Sequence, residues 1–163
     1  MNDVSKTKAM NVELYKYKQQ VVSLLCSSVE ITEALNSDVD DSELVYNNIF
    51  PFGKLPDTQT DAKCFITIQV TMPQVSTKNF FFKDVLLIVQ VICHDDLMRA
   101  DEYGMPRADY LSVKICELLN GNTDFGYGEM QLVSNVEGPY AERYYSRTMR
   151  FQTQEQAKTN LCT

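Results

Sequence analysis

The sequence predicts an α+β fold: an antiparallel or mixed sheet of about four main strands packed against two main helices, in the order helix, loop, two strands, helix, two strands. Three observations predict it. Apolar residues recur at helical spacing near the start of the chain and again after residue 106. Between and after these stretches, apolar and polar residues alternate with a period of two, "KCFITIQVTM" being the clearest case. Composition is that of a globular chain, because 44% apolar and 23% charged residues argue against global disorder.

Residues 1–10 are polar and irregular and read as a flexible N-terminal arm. A single domain is expected over 11–155, and residues 156–163 read as a flexible C-terminal tail. A chain of 163 residues suffices for one domain that buries roughly 70% of its unfolded surface. From Val12 the spacing is helical: Leu14, Tyr17, Val21, Leu24 and Leu25 fall on one face. "SVEITEAL" extends this helix or forms a second, and "NSDVDDSE" stops it.

From Asn36 to Ala62 no period stands out. Ile49, Phe50 and Phe52 pin a long loop, and Pro51 and Pro56 exclude a continuous helix and disfavour a central strand. In the first strand Cys64, Ile66, Ile68 and Val70 alternate with Phe65, Thr67, Gln69 and Thr71. "PQVSTKN" is a turn. "FFFKDVLLIVQVIC" follows as a long central strand, with room for a bulge. The second helix runs from Pro106 to Asn120 with Ala108, Leu111, Ile115, Leu118 and Leu119 buried against the sheet, Ile88 among their expected partners. Pro106 suits a first helical turn, and "NG" at 120–121 suits a helix end. "MQLVSNV" and "RYYSRTMRFQTQ" close the fold as two strands joined by the turn "EGPYAE".

Charge and cysteine usage narrow the function. Fifteen basic against 22 acidic residues give a net charge of −7, which argues against a general phosphate-backbone binder. Five cysteines, an odd number without a C-x-x-C pair, point to free thiols and synthesis in a reducing cytosol. The longest apolar stretch is about half a membrane span, so no transmembrane helix is expected.

One constellation could carry chemistry. Cys93, His94, Asp95 and Asp96 put a thiol, an imidazole and two carboxylates in four positions, and His94 is the only histidine in the chain. Strand alternation sends Cys93 and Asp95 to one side and His94 and Asp96 to the other. The groups converge only if the strand breaks at once. A zinc site would need further ligands from scattered cysteines, whereas a magnesium site could use Asp95 and Asp96 with Asp101 or Glu102. Adjacent aspartates at a strand end commonly only solvate a turn, and that structural reading is the expected one. "NTDFGYGE" lacks the lysine and spacing of a phosphate loop, so Gly126 and Gly128 are expected to turn the chain. No serine or cysteine has the context of a nucleophile. No catalytic residue, cofactor or metal is expected. Aromatic residues cluster in loops, as at protein interfaces.

Four stretches carry a resemblance: "IFPFGKLPDTQTDAKCFITIQV", "FKDVLLIVQVICHDDLM", "RADYLSVKICELLNG" and "LVSNVEGPYAERYYSRTMRFQTQE". Their order, across about residues 18–155, resembles the tail terminator, or tail-completion, proteins of tailed bacteriophages. The resemblance implies a structural virion subunit assembled in the host bacterial cytoplasm into a hexameric ring at the neck. Such a ring caps the tail tube and joins it to head-completion or connector proteins, and DNA passes through its lumen without specific binding. An acidic lumen would keep DNA from sticking. Interface candidates are Ile49, Phe50 and Phe52 in the 44–58 loop, with Phe80 and Phe81 in the turn before the long strand. Two alternatives stay open: another neck component such as a head-closure stopper, and a small metal-dependent enzyme using His94, Asp95 and Asp96.

Overall fold

A computed structural model describes residues 4–54, 62–72 and 82–156. Helix α1 (Val4–Ser27) and helix α2 (Val29–Leu35) are followed by a two-residue strand β1 (Ile49–Phe50) and by strands β2 (Cys64–Thr71) and β3 (Phe82–His94). A single helical turn α3 (Asp95–Met98), helix α4 (Arg107–Leu119) and strands β4 (Tyr127–Ala141) and β5 (Tyr144–Gln156) complete the chain. The strands form one mixed sheet in the order β1-β2-β3-β5-β4, with β1 parallel to β2 and every other pair antiparallel.

The α+β class and the central position of the long strand are as expected. The four expected main strands are β2 to β5, and the two-residue β1 adds to them because Ile49 and Phe50 pair with Ile66 and Thr67 at the sheet edge. Pro51 follows directly and ends that strand, as a missing N–H donor requires. Residues 4–10 of the expected arm belong to α1. The tail from residue 157 onward lies outside the described residues, as does the 73–79 turn. β3 carries no bulge; its register against both neighbours runs unbroken. The irregularities sit in β4 instead, with register shifts at Tyr127/Gln131, Leu132/Ser134 and Pro139/Ala141. The expected turn "EGPYAE" is therefore mostly strand, and only Glu142 and Arg143 turn the chain. Pro139 fits because β4 is an edge strand, where a missing donor leaves no ladder bond unmade.

The sheet has two unlike faces. Alternation sends Ile66 and Ile68 of β2, Val85, Leu87, Val89 and Val91 of β3, and Met149 and Phe151 of β5 into one core. Tyr17, Val21 and Leu25 of α1, Ile31 and Leu35 of α2, and Leu111, Ile115 and Leu119 of α4 cover it, all buried. Leu118 is only partly buried, and Ile88 faces the other side, where it is half-buried between Gln69 and Arg150. Strand parity decides this: α4 meets Leu87 and Val89, not Ile88. Ion pairs reinforce the helical side. The Arg147 Nε lies 2.6 Å from Asp109 on α4, and Lys114 of α4 reaches Glu30 of α2 at 3.1 Å. Buried Arg107 donates to the carbonyls of Leu97 at 2.9 Å and Ala34 at 2.8 Å. It thereby satisfies acceptors at the ends of α2 and α3 that no helix bond reaches.

The second face carries a smaller cluster at one end, made of Phe50, Phe65, Ile92 and Tyr144. Toward the other end it turns polar, with Thr148, Arg150, Gln152 and Gln154 on β5. Gly126, on the way into β4, has φ +65°, and a Cβ there would lie 2.6 Å from the Gln154 carbonyl oxygen. Turning the chain is its role, as expected.

Candidate functional site

The Cys93–Asp96 segment lies where β3 ends. His94 is the last strand residue and also the N-cap of α3, with extended backbone angles of −66° and 144°. Its Nδ1 accepts a hydrogen bond from the Asp96 N–H at 3.2 Å, a side-chain cap supplied by an imidazole. Because the strand breaks at this residue, alternation no longer separates the groups. The Asp95 carboxylate comes within 3.1 Å of Nδ1 and that of Asp96 within 3.5 Å. Cys93 is still in the strand and points into the main core opposite Cys64. Three of the four residues thus converge and one does not.

Arg143 closes this corner. Its guanidinium lies 3.0 Å from Asp95 and 2.7 Å from Asp96, and its own carbonyl accepts from the Asp95 N–H at 2.9 Å. Arg143 sits in the β4–β5 turn with φ +62°, a left-handed conformation costly for a residue with a Cβ. Desolvation pushes the Asp95 carboxyl upward, but the hydrogen bond and charge of Arg143, with help from His94, outweigh it and hold the group below its ordinary value. The same carboxylates raise Arg143 in turn. The His94 ring packs edge-on against Tyr144, centroids 4.9 Å apart, and its side chain is 10% exposed.

Ligand atoms of His94, Asp95 and Asp96 lie within 4.8 Å of one another, close enough to hold a divalent ion. Each already has a partner, however. Nδ1 accepts from the Asp96 backbone N–H, and both carboxylates hold Arg143. A metal would have to displace the guanidinium and the cap. A surface cleft of about 480 Å³ lies one turn further on, against Met98, Ala100, Met105 and Pro106, and none of the three residues lines it. The arrangement fastens the end of β3 to the β4–β5 turn.

The interface candidates separate as well. Ile49 is fully buried and Phe50 is 4% exposed, so neither offers surface to another subunit. Ile49 belongs to the main core, and Phe50 packs edge-on against Phe65 at 5.9 Å beneath the Lys54 ammonium. Phe52 is exposed and lies beside exposed Tyr46, centroids 6.3 Å apart. Phe80 and Phe81 lie outside the described residues. Other exposed apolar side chains went unnoticed in the sequence. Leu132, Val133 and Val136 on edge strand β4 and Tyr145 on β5 are all exposed. The signal was Val133, which sits at a register shift and so escapes the alternation that would bury it.

The family model described as YomW matches residues 18–153. Among solved structures, a chain of the virion of a native gene transfer agent particle is similar at 12% identity, with a TM-score of 0.48, over 84% of this chain and 98% of that one. No curated protein matches.

Proposed function

We propose that this chain, which belongs to the YomW family, is a structural subunit of a tailed-phage virion and, more finely, a tail terminator. Copies of it form a ring, a hexamer in this reading, that caps the tail tube and joins it to the head-completion or connector proteins. DNA passes through the lumen.

The observation that carries this reading is the ordered set of four stretches that resemble tail terminators. They cover β1 and β2, then β3 with α3, then α4, then most of β4 with β5, which is most of the sheet and one of its covering helices. Two features of the site agree with a role without catalysis. His94, Asp95 and Asp96 are spent on a cap and an ion-paired corner. The chain is also strongly acidic, which suits a passage for DNA better than a surface that holds it.

A test uses purified protein mixed with tail tubes that lack their terminal proteins. Electron microscopy should find a ring seated at one end of the tube. Protein that binds head connectors and ignores tubes would favour the stopper reading, and protein that binds neither would remove both. One observation favours a second reading, metal-dependent chemistry, namely the convergence of His94, Asp95 and Asp96. Calorimetric titration with zinc and magnesium decides it: the ion pairs to Arg143 predict no stoichiometric binding, and one tight site lost in His94→Ala would establish it.

A further inference from the structure

Two cysteines that the function above does not use face each other across β2 and β3. Cys64 and Cys93 are register partners, both essentially fully buried, and both thiols are free. The backbone fixes the type of pair. The His94 N–H donates to the Lys63 carbonyl, one residue outside the pair on each strand, so Cys64 and Cys93 occupy a non-hydrogen-bonded site. At such sites the Cα atoms stand about 4.5 Å apart and side chains approach most closely. That spacing lies inside the range a disulfide spans, near its short end.

Access is the second requirement. A cavity of about 30 Å³ lies between the end of α2 and the start of β2, lined by Asn36, Ser37, Asn48, Lys63 and Cys64. Polar and apolar atoms share its lining, and it has room for about one or two water molecules. Asn48, itself buried, holds its wall by donating to the Cys64 carbonyl at 2.8 Å. Cys64 therefore borders a small space that Cys93 does not line.

We propose that Cys64 and Cys93 are a peroxide-oxidisable pair that closes into a disulfide between β2 and β3. The Cys64 sulfur attacks one oxygen of hydrogen peroxide and the O–O bond breaks. The departing hydroxide takes the thiol proton and leaves as water, with Cys64 as the sulfenic acid. The Cys93 sulfur then attacks the Cys64 sulfur, the S–S bond forms, the S–O bond breaks and a second water leaves with the Cys93 proton. Two thiols lose two electrons in all, and one peroxide becomes two waters. The reaction is slow, because the hydrogen bond to Cys93 and then burial push the Cys64 thiol well above its ordinary value and little thiolate is present. The pair thus stays reduced where thiols are kept reduced and closes on prolonged contact with peroxide. The inference does not depend on the role of the chain in a virion.

The test treats the folded full-length protein with hydrogen peroxide, blocks remaining thiols, and maps cysteines by mass spectrometry after digestion without reductant. The expected product is a Cys64–Cys93 linked peptide that dithiothreitol abolishes. In Cys93→Ser the link is lost and dimedone labels Cys64 as the sulfenic acid. Cys64 and Cys93 both recovered as blocked thiols from native protein, with Cys26 or Cys116 oxidised instead, would overturn the proposal. So would a link that forms only in denaturant. The wild-type map decides the matter even if the serine variant does not fold.

Discussion

The two faces of the sheet are built from the same strands and do different things. Adjacent residues of β3 make the contrast plain: Leu87 is buried under the helices, while Leu86, next in line, is half-buried on the open side. The helical face holds a continuous apolar core with ion pairs only at its margins. The open face has an aromatic cluster near His94 and polar side chains beyond it. One face therefore carries most of the folding energy, and the other leaves sequence free to meet something outside the subunit.

The largest effects should come from the covered face. Leu87→Ala should cost about 2–5 kcal/mol by denaturant unfolding, as for a large-to-small change in a closed core. Leu86→Ala removes the same atoms from the open side and should cost less, since a partly exposed side chain leaves a smaller cavity. Equal losses would erase the distinction between the faces. Ile115→Ala tests the helix that covers the core, with about 2–5 kcal/mol expected; a loss below about 0.5 kcal/mol would place α4 elsewhere.

A smaller effect is expected at the ionic corner. Arg143→Ala should lower the thermal midpoint slightly, because the pairs are solvent-screened. The pH dependence has a definite sign. Asp95 has a folded-state pKa below its ordinary 3.8, so its contribution is present above that value and is lost as pH falls through the folded-state value. The wild type should therefore lose its advantage over Arg143→Ala in acid and keep it near neutrality. An advantage that grew in acid would contradict the ion pairs. Smallest of all, Val136→Ser on the exposed edge should change stability by no more than about 0.5 kcal/mol. A larger loss would mean that β4 is covered within the subunit.

Much of this was legible in residue spacing. Alternation in "KCFITIQVTM" and the stripe Ala108, Leu111, Ile115 and Leu119 placed β2 and α4, because each buries one periodic face. β1 was not legible: two residues ahead of a proline have no period, and only the partners Ile66 and Thr67 make them a strand. The β4–β5 turn was misplaced because Gly138 and Pro139 are turn residues in most contexts, while an edge strand tolerates them. At the site, the chemistry of His94, Asp95 and Asp96 was visible but their convergence was not. It depends on the strand ending at His94, and on Arg143, which lies 47 residues beyond Asp96.

The proposed role, a ring that ends a phage tail, has one direct test. The most direct measurement is the length distribution of tail tubes polymerised with and without it, scored by electron microscopy. The account predicts tubes of one narrow length, each with a ring at one end, when the protein is present, and overlong tubes without a ring when it is absent. Identical length distributions in the two cases, with the protein free in solution, would contradict it.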